Sequence, residues 1–252
     1  MTFEIAANTD MPRIKRVFPP GVAQHVINRG NNRRTIFRKD GDYAAFLRLM
    51  AEAQQRHPID LLEYCVMPTH FHFVFWPQTE DAIPAYMTWL MNAHVRQYHQ
   101  HYETCGLGHI YQGRYKNFPI QTDRHLLTVL RYVGANPLRA VLVGRAENWK
   151  WSSLSTATWI GRPELSESPV SRPTPWLPLV NSHLDEKTLQ RIRRSVRRGA
   201  PFGDDAWTLR FAEEHGLEFT LRNCGRPRKT GMLAITDDCK SCNDALFNPE
   251  KR

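Results

Sequence analysis

The sequence predicts an α+β fold in which an antiparallel β-sheet packs against α-helices. Residues 70–76 alternate phenylalanine with other side chains, in the pattern of a half-buried strand. An apolar run at residues 59–67 precedes them, and only Pro68 and Thr69 lie between, so we expect a hairpin. Stretches with helical periodicity separate this hairpin from an earlier strand and from a short later one. The order strand, helix, strand, strand, helix, strand is typical of an α+β sandwich.

The first strand and the first helix are predicted from their composition and their turn signals. Residues 22–28 are predicted to form a strand, and Asn28 to Asn32 contain the polar residues and glycine of a turn. Asp40 or Asp42 is expected to cap the following helix. Its predicted core face has the helical spacing of one apolar stripe and consists of Tyr43, Phe46, Leu47, Met50 and Ala53.

The strand at residues 70–76 presents two chemically different faces. Because side chains alternate along a strand, Phe71, Phe73 and Phe75 share one face, which we predict to be a core face. His70 and His72 share the other face, where two imidazoles side by side could hold one metal ion. The alternative is a pair of incidental histidines on a half-buried strand.

The second helix is predicted over residues 83–102, with Met87, Leu90, Met91 and Val95 facing inward. The segment that follows, residues 105–121, contains three glycines and a cluster of basic and aromatic residues. A short strand is expected at residues 117–121.

The third helix carries a second group of candidate site residues. Thr122 or Asp123 is a suitable N-cap, and Pro137 is expected to end the helix. Its apolar stripe is Leu126, Val129, Leu130 and Val133, beside a stripe of His125, Thr128, Tyr132 and Asn136. Tyr132 and Asn136 are four residues apart and therefore lie on one face. They could be a half-buried tyrosine and a helix C-cap. Together with the two histidines, they suggest a nucleophile and a third metal ligand.

The charge of the chain favours a polyanionic partner. The 252 residues include 34 Lys or Arg and 25 Asp or Glu, which gives a net charge of +9. Residues 13–39 contain 8 basic and no acidic residues, and residues 187–229 contain 11 basic and 5 acidic residues. Two such blocks around the candidate metal ligands and nucleophile favour contact with nucleic acid over ordinary surface charge.

Cysteine content and hydropathy indicate the compartment. No apolar run approaches the roughly 20 residues that span a bilayer, and the N-terminus lacks the apolar core of a signal peptide. An odd number of cysteines, 5, without a disulfide framework favours a reducing cytoplasm.

The C-terminal part is predicted to be a small basic helical extension. Five prolines and several serines at residues 161–178 indicate a linker or an extended wrap. Residues 184–198 and 205–215 have the pattern of two helices. The expected organisation is a main domain, a linker, a basic helical DNA-binding extension and a disordered tail, at residues 12–160, 161–180, 181–230 and 231–252; residues 1–12 form a loose leader.

The combination of His70-Phe71-His72 with Tyr132, Asn136 and Pro137 resembles the Y1-type HUH transposases of the IS200/IS605 superfamily. Within that superfamily the chain is similar to the REP-associated tyrosine transposases of bacteria. The resemblance covers residues 12 to 160 and extends more loosely to about residue 230. Other segments that carry it are Val26 to Gly30, Tyr111 to Tyr115, Trp149 to Ser153, Gly203 to Trp207 and Gly225 to Lys229.

The resemblance implies a ferredoxin-like antiparallel sheet with helices packed on one face. It also implies a metal-dependent enzyme that cleaves single-stranded DNA, with Tyr132 as the nucleophile, a 5′-phosphotyrosine intermediate and a free 3′-hydroxyl. His70, His72 and Asn136 are the expected ligands. Two imidazoles and an amide oxygen leave coordination positions open, which suits Mg²⁺ or Mn²⁺. The implied substrate is hairpin DNA formed by repetitive extragenic palindromes. Monomer and homodimer both remain open.

Residues that contact DNA are expected in three groups. Basic side chains supply phosphate contacts, and exposed aromatic rings can stack on unpaired bases. The groups are Arg29, Arg33 and Arg34; Tyr111, Arg114, Tyr115 and Lys116; and Arg226, Arg228 and Lys229, which belong to a Gly-Arg-Pro segment similar to half of an AT-hook. Packing is the alternative role for the two tyrosines, and a basic disordered tail is the alternative for the last group.

Three further possibilities remain at this point. Tyr111 and Tyr115 are rival nucleophiles. Cys239 and Cys242 have the spacing of a zinc-binding pair. The chain could also be a sequence-specific DNA-binding protein that has lost turnover, or a metal-dependent RNA or DNA phosphodiesterase without a covalent step.

Overall fold

The computed structural model describes residues 16–157 and 161–222. Its main unit is a four-stranded antiparallel sheet in the order β2-β3-β1-β4, which is the ferredoxin-like arrangement. The elements of this unit are β1 Ala23–Arg29, α1 Asp40–Arg56, β2 Asp60–Met67, β3 His70–Trp76, α2 Ala82–Tyr102 and β4 Lys116–Ile120. The predicted α+β class is confirmed. The predicted leader and tail lie outside the described residues.

The register of the sheet places β3 in its interior. β2 and β3 form the predicted hairpin, in which Met67 pairs with His70. On its other side β3 pairs with β1, so that His70 lies opposite Arg29 and His72 lies opposite Ile27. The histidine strand is therefore held by neighbours on both sides.

The phenylalanine face of β3 packs beneath α1 and α2, as predicted. Phe71, Phe73 and Phe75 are fully buried, and the ring of Phe71 lies 5.3 Å from that of Phe46 on α1. The apolar stripe predicted for α1 is buried at every position. Burial of each such side chain contributes about 1.5–3 kcal/mol, so this layer anchors the sheet.

The opposite face of the sheet is covered by α3, Arg124–Gly134. Asp123 is its N-cap and accepts a hydrogen bond from the backbone N–H of His125 at 2.7 Å. The four residues of the predicted stripe are fully buried, and they share a core with Ile27 and Val74. The resemblance implied helices on one face of the sheet. This holds for α1 and α2, whereas α3, which carries Tyr132, packs on the other face. After α3 the chain forms a short helix, α4, at Asn136–Arg139.

The C-terminal segment packs directly on this second face. It contains α5 Trp176–Asn181, α6 Glu186–Arg198, α7 Asp205–Glu214 and α8 Glu218–Leu221. Leu189, Ile192 and Val196 of α6 belong to the same core as the α3 stripe. The predicted boundaries of the main domain and the C-terminal extension remain predictions, but these two regions share one hydrophobic core.

Residues 161–175 lie against β2 as an extended wrap. The backbone N–H of Ser166 donates to the carbonyl of Leu61 at 2.9 Å, and Arg172 pairs with Glu63 at 3.1 Å. Of the two roles predicted for this proline-rich stretch, the contacts correspond to the wrap.

Glu63 is a fully buried carboxylate at the edge of the sheet. It accepts a hydrogen bond from the Ser153 hydroxyl at 2.7 Å in addition to the Arg172 pair. Burial raises the pKa of Glu63 to about 7, because removal of water disfavours the charged form more than Arg172 and Ser153 favour it.

Candidate active site

A pair of buried histidines connects the two central strands. His25 on β1 and His72 on β3 lie on the same face of the sheet, and both are fully buried. Nε2 of His25 is 2.8 Å from Nδ1 of His72, which is a hydrogen bond. With the proton on His72 Nδ1, the lone pair of His72 Nε2 is available on a ring whose orientation is fixed. Nε2 is buried and has no hydrogen-bond partner among the described residues.

His25 was not singled out by sequence reasoning. It lies within the apolar first strand, and in the sheet it is opposite Val74, diagonally adjacent to His72. The available signal was its position two residues from Ala23 and Ile27, which puts it on a buried face. A polar ring at such a position needs a partner, but only the strand pairing identifies that partner as His72.

His70 stands at the start of β3 and is partly exposed. Its Nδ1 is 2.9 Å from the Thr69 hydroxyl, and its ring lies 4.9 Å from that of His72 at nearly a right angle. Burial, with smaller effects from Arg29 and Arg139, lowers the pKa of His70 to about 3 and that of His72 well below its usual value. Both imidazoles are therefore neutral at pH 7, the form that binds metal ions.

Tyr132 packs against the two buried histidines. Its ring centre lies 5.9 Å from that of His72 and 6.4 Å from that of His25. Its hydroxyl is buried and has no hydrogen-bond partner among the described residues. The structure thus places an unpartnered phenol beside an imidazole with an unpartnered nitrogen.

Positive charge surrounds the Tyr132 phenol. Burial raises its pKa, and the nearby charges of Arg139, Arg193 and Arg29 act in the opposite direction. The guanidinium carbon of Arg139 is 4.2 Å from the ring centre. The site therefore disfavours ionisation by desolvation but offers cations to a negatively charged group.

Asn136 begins α4, one turn beyond Tyr132. It is buried, and its side-chain N–H donates to the carbonyl oxygens of Tyr132 and Val133 at 3.1 and 3.3 Å. These bonds are the C-cap role considered for this residue. Because the amide nitrogen faces the helix end, the side-chain oxygen Oδ1 faces the other way and is the atom that could contact a cation.

The two rival tyrosines lie elsewhere. Tyr111 is buried on the phenylalanine face, where its hydroxyl is 2.7 Å from Nδ1 of His94. The ring of Tyr115 is partly buried and carries the Arg16 guanidinium at 3.8 Å from its centre. Tyr132, and neither of these, is the tyrosine packed against His72. For Tyr111, the contacts support the packing role over base stacking.

A basic cleft of about 370 Å³ lies at the start of β4. One side carries Arg114, Tyr115 and Lys116, and the other side carries residues 197–199 at the end of α6. Such a concentration of cations around an aromatic ring suits a phosphate backbone with unpaired bases.

The other residues predicted to contact DNA are distributed as follows. Arg29 ends β1 opposite His70, and Arg33 and Arg34 are exposed in the turn that follows. Arg34 donates to the carbonyl of His109 at 3.2 Å. Arg226, Arg228 and Lys229 lie outside the described residues, as do Cys239 and Cys242.

The described ranges contain no group of three or more His, Cys, Asp or Glu side chains placed to hold a metal ion. A cation at His70 and His72 would therefore need oxygen ligands from Asn136, substrate or water.

The described helices include none with the length and apolar character needed to cross a bilayer.

Comparison with known proteins identifies one matching family. Residues 20–136 match the model of the IS200-like transposases. This range contains His25, His70, His72, Tyr132 and Asn136. A search of curated proteins found no match.

Two solved structures of transposases are among those to which this chain is similar. One is a REP-associated tyrosine transposase bound to a REP hairpin, with 16% identity, 62% of this chain and 100% of that chain covered, and a TM-score of 0.47. The other is a candidate transposase from Deinococcus radiodurans R1, with 14% identity, 48% and 93% covered, and a TM-score of 0.34.

Proposed function

We propose that the chain, whose residues 20–136 match the model of the IS200-like transposases, is a member of that family and a metal-dependent single-stranded DNA endonuclease and strand transferase. Tyr132 is the proposed nucleophile, and hairpin-forming repetitive DNA is the proposed substrate. One observation carries the proposal. The Tyr132 hydroxyl and the His72 Nε2 are both buried without a hydrogen bond among the described residues, on rings whose centres lie 5.9 Å apart. Buried polar atoms are normally satisfied, so the pair suits a ligand that supplies both interactions.

The proposed reaction is a transesterification. The Tyr132 oxygen forms a bond to phosphorus as the bond from phosphorus to the 3′-oxygen breaks. The phenol loses its proton to solvent, and the departing 3′-oxygen takes up a proton to become a hydroxyl. The product is a 5′-phosphotyrosine that conserves the energy of the phosphodiester bond, so that a second 3′-hydroxyl can reverse the step without ATP.

The residues present fit a divalent cation, Mg²⁺ or Mn²⁺, as the cofactor. Nε2 of His72, the His70 ring and Oδ1 of Asn136 would hold it, and His25 would fix the orientation of His72 through its 2.8 Å hydrogen bond. Such an ion polarises a scissile phosphate and neutralises charge on it. The unpartnered Nε2 is the feature of this structure that the cation would satisfy.

For DNA binding we propose two surfaces. Arg29, Arg33 and Arg34 lie at the end of β1 beside His70, where a strand could enter the site. The basic cleft with Arg114, Tyr115 and Lys116 suits the remainder of the DNA. The Gly-Arg-Pro segment at residues 225–229 stays a prediction of the sequence.

The test is a cleavage assay with hairpin single strands labelled at either end, in the presence of Mg²⁺ or Mn²⁺. Tyr132→Phe removes only the nucleophilic oxygen and should abolish both cleavage and the protein–DNA adduct, while hairpin affinity stays near that of the wild type. Tyr115→Phe is the matched control and should retain the adduct. An adduct with Tyr132→Phe that is lost with Tyr115→Phe would show that the nucleophile is misassigned.

A further inference from the structure

We propose that Arg139 is a catalytic residue, whose guanidinium binds a non-bridging oxygen of the scissile phosphate beside Tyr132. The inference rests on the proposed function, because it concerns the same cleavage step. Arg139 lies outside residues 20–136, which match the family model. We assign the catalytic role from the position of the guanidinium beside Tyr132 and from the absence of an anionic partner among the described residues.

The short helix α4 positions Arg139 over the phenol. Pro137 lies in the first turn of α4, which suits the start of a helix. Only Ala135 separates α3 from α4, so that the side chain of residue 139 reaches back to residue 132. The guanidinium carbon is 4.2 Å from the centre of the Tyr132 ring. Nη2 donates to the backbone carbonyl of Tyr132 at 2.8 Å. One half of the guanidinium is therefore fixed to the backbone of the nucleophile itself.

The other half of the guanidinium has no anionic partner among the described residues. Nη1 of Arg139 is buried and makes no hydrogen bond of good geometry there, although the Arg139 side chain is close enough to the Tyr132 phenol to lower the pKa of that group. Arg139 also forms no ion pair with any carboxylate of the described ranges. Burial of a cation without an anion costs several kcal/mol in general terms. Arg172, by contrast, reaches the buried carboxylate of Glu63 at 3.1 Å.

The charges around Arg139 increase this imbalance. The groups that interact with it electrostatically are Arg193, Tyr132 and Cys65, and it acts in turn on His70 and His72. Each of these is a cation or is neutral at pH 7. Arg193 is paired with Glu186 at 3.0 Å, whereas Arg139 has no acidic partner among the described residues, and a phosphodiester anion is a chemical group that would compensate its charge.

The partly exposed members of the site indicate the side of entry. Arg29 and His70 face each other at the end of the β1–β3 pair. A phosphate that enters there meets His70 first and then the buried Tyr132 hydroxyl and Arg139 Nη1.

The role of Arg139 in the reaction is electrostatic. While the bond from Tyr132 to phosphorus forms and the bond to the 3′-oxygen breaks, negative charge is carried by the non-bridging oxygens. A guanidinium donates planar N–H groups to such oxygens and keeps its proton throughout. A pre-oriented donor in a buried, low-dielectric site stabilises the transition state more than an equivalent donor in solution.

The alternative role for Arg139 is packing, since it also stacks on Tyr132 and bonds to the end of α3. Chemical rescue separates the two. In Arg139→Ala, free guanidinium ion can occupy the vacated volume and restore the charge without restoring the covalent link. Urea has a similar shape but no charge, and it serves as the matched additive.

The experiment measures the single-turnover rate of adduct formation with saturating hairpin DNA and Mn²⁺. Arg139→Ala should slow the reaction by about 100- to 1,000-fold, as loss of one pre-oriented donor does in other enzymes. Millimolar guanidinium should restore part of the rate in a saturable manner, and urea should not. Arg131→Ala is the control variant, because Arg131 lies on α3 but bonds to Leu179 and Ser182. It should react within about twofold of the wild type and show no response to guanidinium.

Four outcomes would overturn the inference. A wild-type protein that forms no adduct refutes the proposed function and this inference with it. If the wild type reacts, an Arg139→Ala rate equal to that of the wild type refutes the inference alone. A slow Arg139→Ala variant that guanidinium does not restore identifies a packing role. If Arg139→Ala does not fold, Arg139→Lys decides, with a rate at least tenfold slower expected at unchanged Tm and DNA affinity. An unchanged rate for Arg139→Lys would contradict the need for a guanidinium.

Discussion

The hydrogen bond between His25 and His72 provides a test of the proposed metal site. His25→Phe keeps an aromatic ring of similar size but removes the Nε2 that lies 2.8 Å from His72 Nδ1. The substitution leaves His72 Nδ1 buried without a partner, which costs about 1–3 kcal/mol. It also removes His25 Nδ1, a buried atom that has no partner among the described residues. Since the second effect offsets part of the first, the free energy of unfolding should fall by about 1 kcal/mol.

His25→Phe should weaken metal binding by more free energy than it removes from the stability of the metal-free protein. Loss of a residue that orients a metal-binding histidine typically reduces affinity by about 10- to 100-fold, equivalent to about 1.4–2.7 kcal/mol. The affinity can be measured by titration with Mn²⁺, with the unbound ion followed by its paramagnetic resonance signal. Urea unfolding of the metal-free protein supplies the stability.

His94→Phe is the matched control. His94 is also a buried histidine with one hydrogen bond, to the Tyr111 hydroxyl at 2.7 Å, but it lies on the opposite face of the sheet. His94→Phe should therefore lose a comparable amount of stability and keep its Mn²⁺ affinity. Wild-type Mn²⁺ affinity in His25→Phe would refute the reasoning, because His72 would then need no help from His25.

Two further predictions concern charge. Because burial raises the pKa of Glu63 to about 7, the folded state retains a proton that the unfolded state releases above about pH 4.5; stability due to this group should be present below that pH and be lost as the pH rises to 7. Urea unfolding at pH 5, 6 and 7 should show the wild type losing stability relative to Glu63→Gln, and parallel curves would contradict the assignment. In the basic cleft, Arg114→Ala should reduce the slope of log K for hairpin DNA against log salt by about 1. The control is Arg56→Ala, on α1 and paired with Glu52, which should not change the slope. Equal slopes for the wild type and both variants would mean that DNA binds outside the cleft.

Periodicity predicted the layers of this fold correctly. The α3 stripe and the phenylalanine face were each assigned from spacing alone, and every residue of both is buried. Spacing suffices there because a residue's position along a helix or strand determines its face. The segment of basic and aromatic residues before β4 has no such regularity. Its composition could not reveal that Tyr111 points into the core while Arg114 is exposed.

Contacts between distant segments were beyond sequence reasoning. The pairing of His25 with His72 joins residues 47 positions apart, and that of Arg172 with Glu63 joins residues 109 positions apart. Each residue taken alone looks like an ordinary member of an apolar strand or a polar linker. Only the register of β1 against β3, and the path of residues 161–175 along β2, brings the partners together. The stacking of Arg139 on Tyr132 crosses the junction of α3 and α4, and it was not predicted because Pro137 was expected to end the helix.

The wrap along β2 has a consequence for how the protein behaves at high concentration. An outer strand normally offers a row of unpaired N–H and C=O groups, on which a strand of another molecule can form. Here the N–H of Val66 donates to Trp151, Ser153 donates to Tyr64, and Ser166 donates to Leu61, each within 3.0 Å. Through these bonds the chain's own backbone pairs with N–H and C=O groups of β2 that a strand of another molecule could otherwise use. Two of these bonds involve residues 151 and 153, which precede the wrap, and one involves the wrap itself. Proteolytic removal of residues 151–175 would therefore expose the backbone of β2, and the trimmed protein should then be prone to self-association through sheet extension.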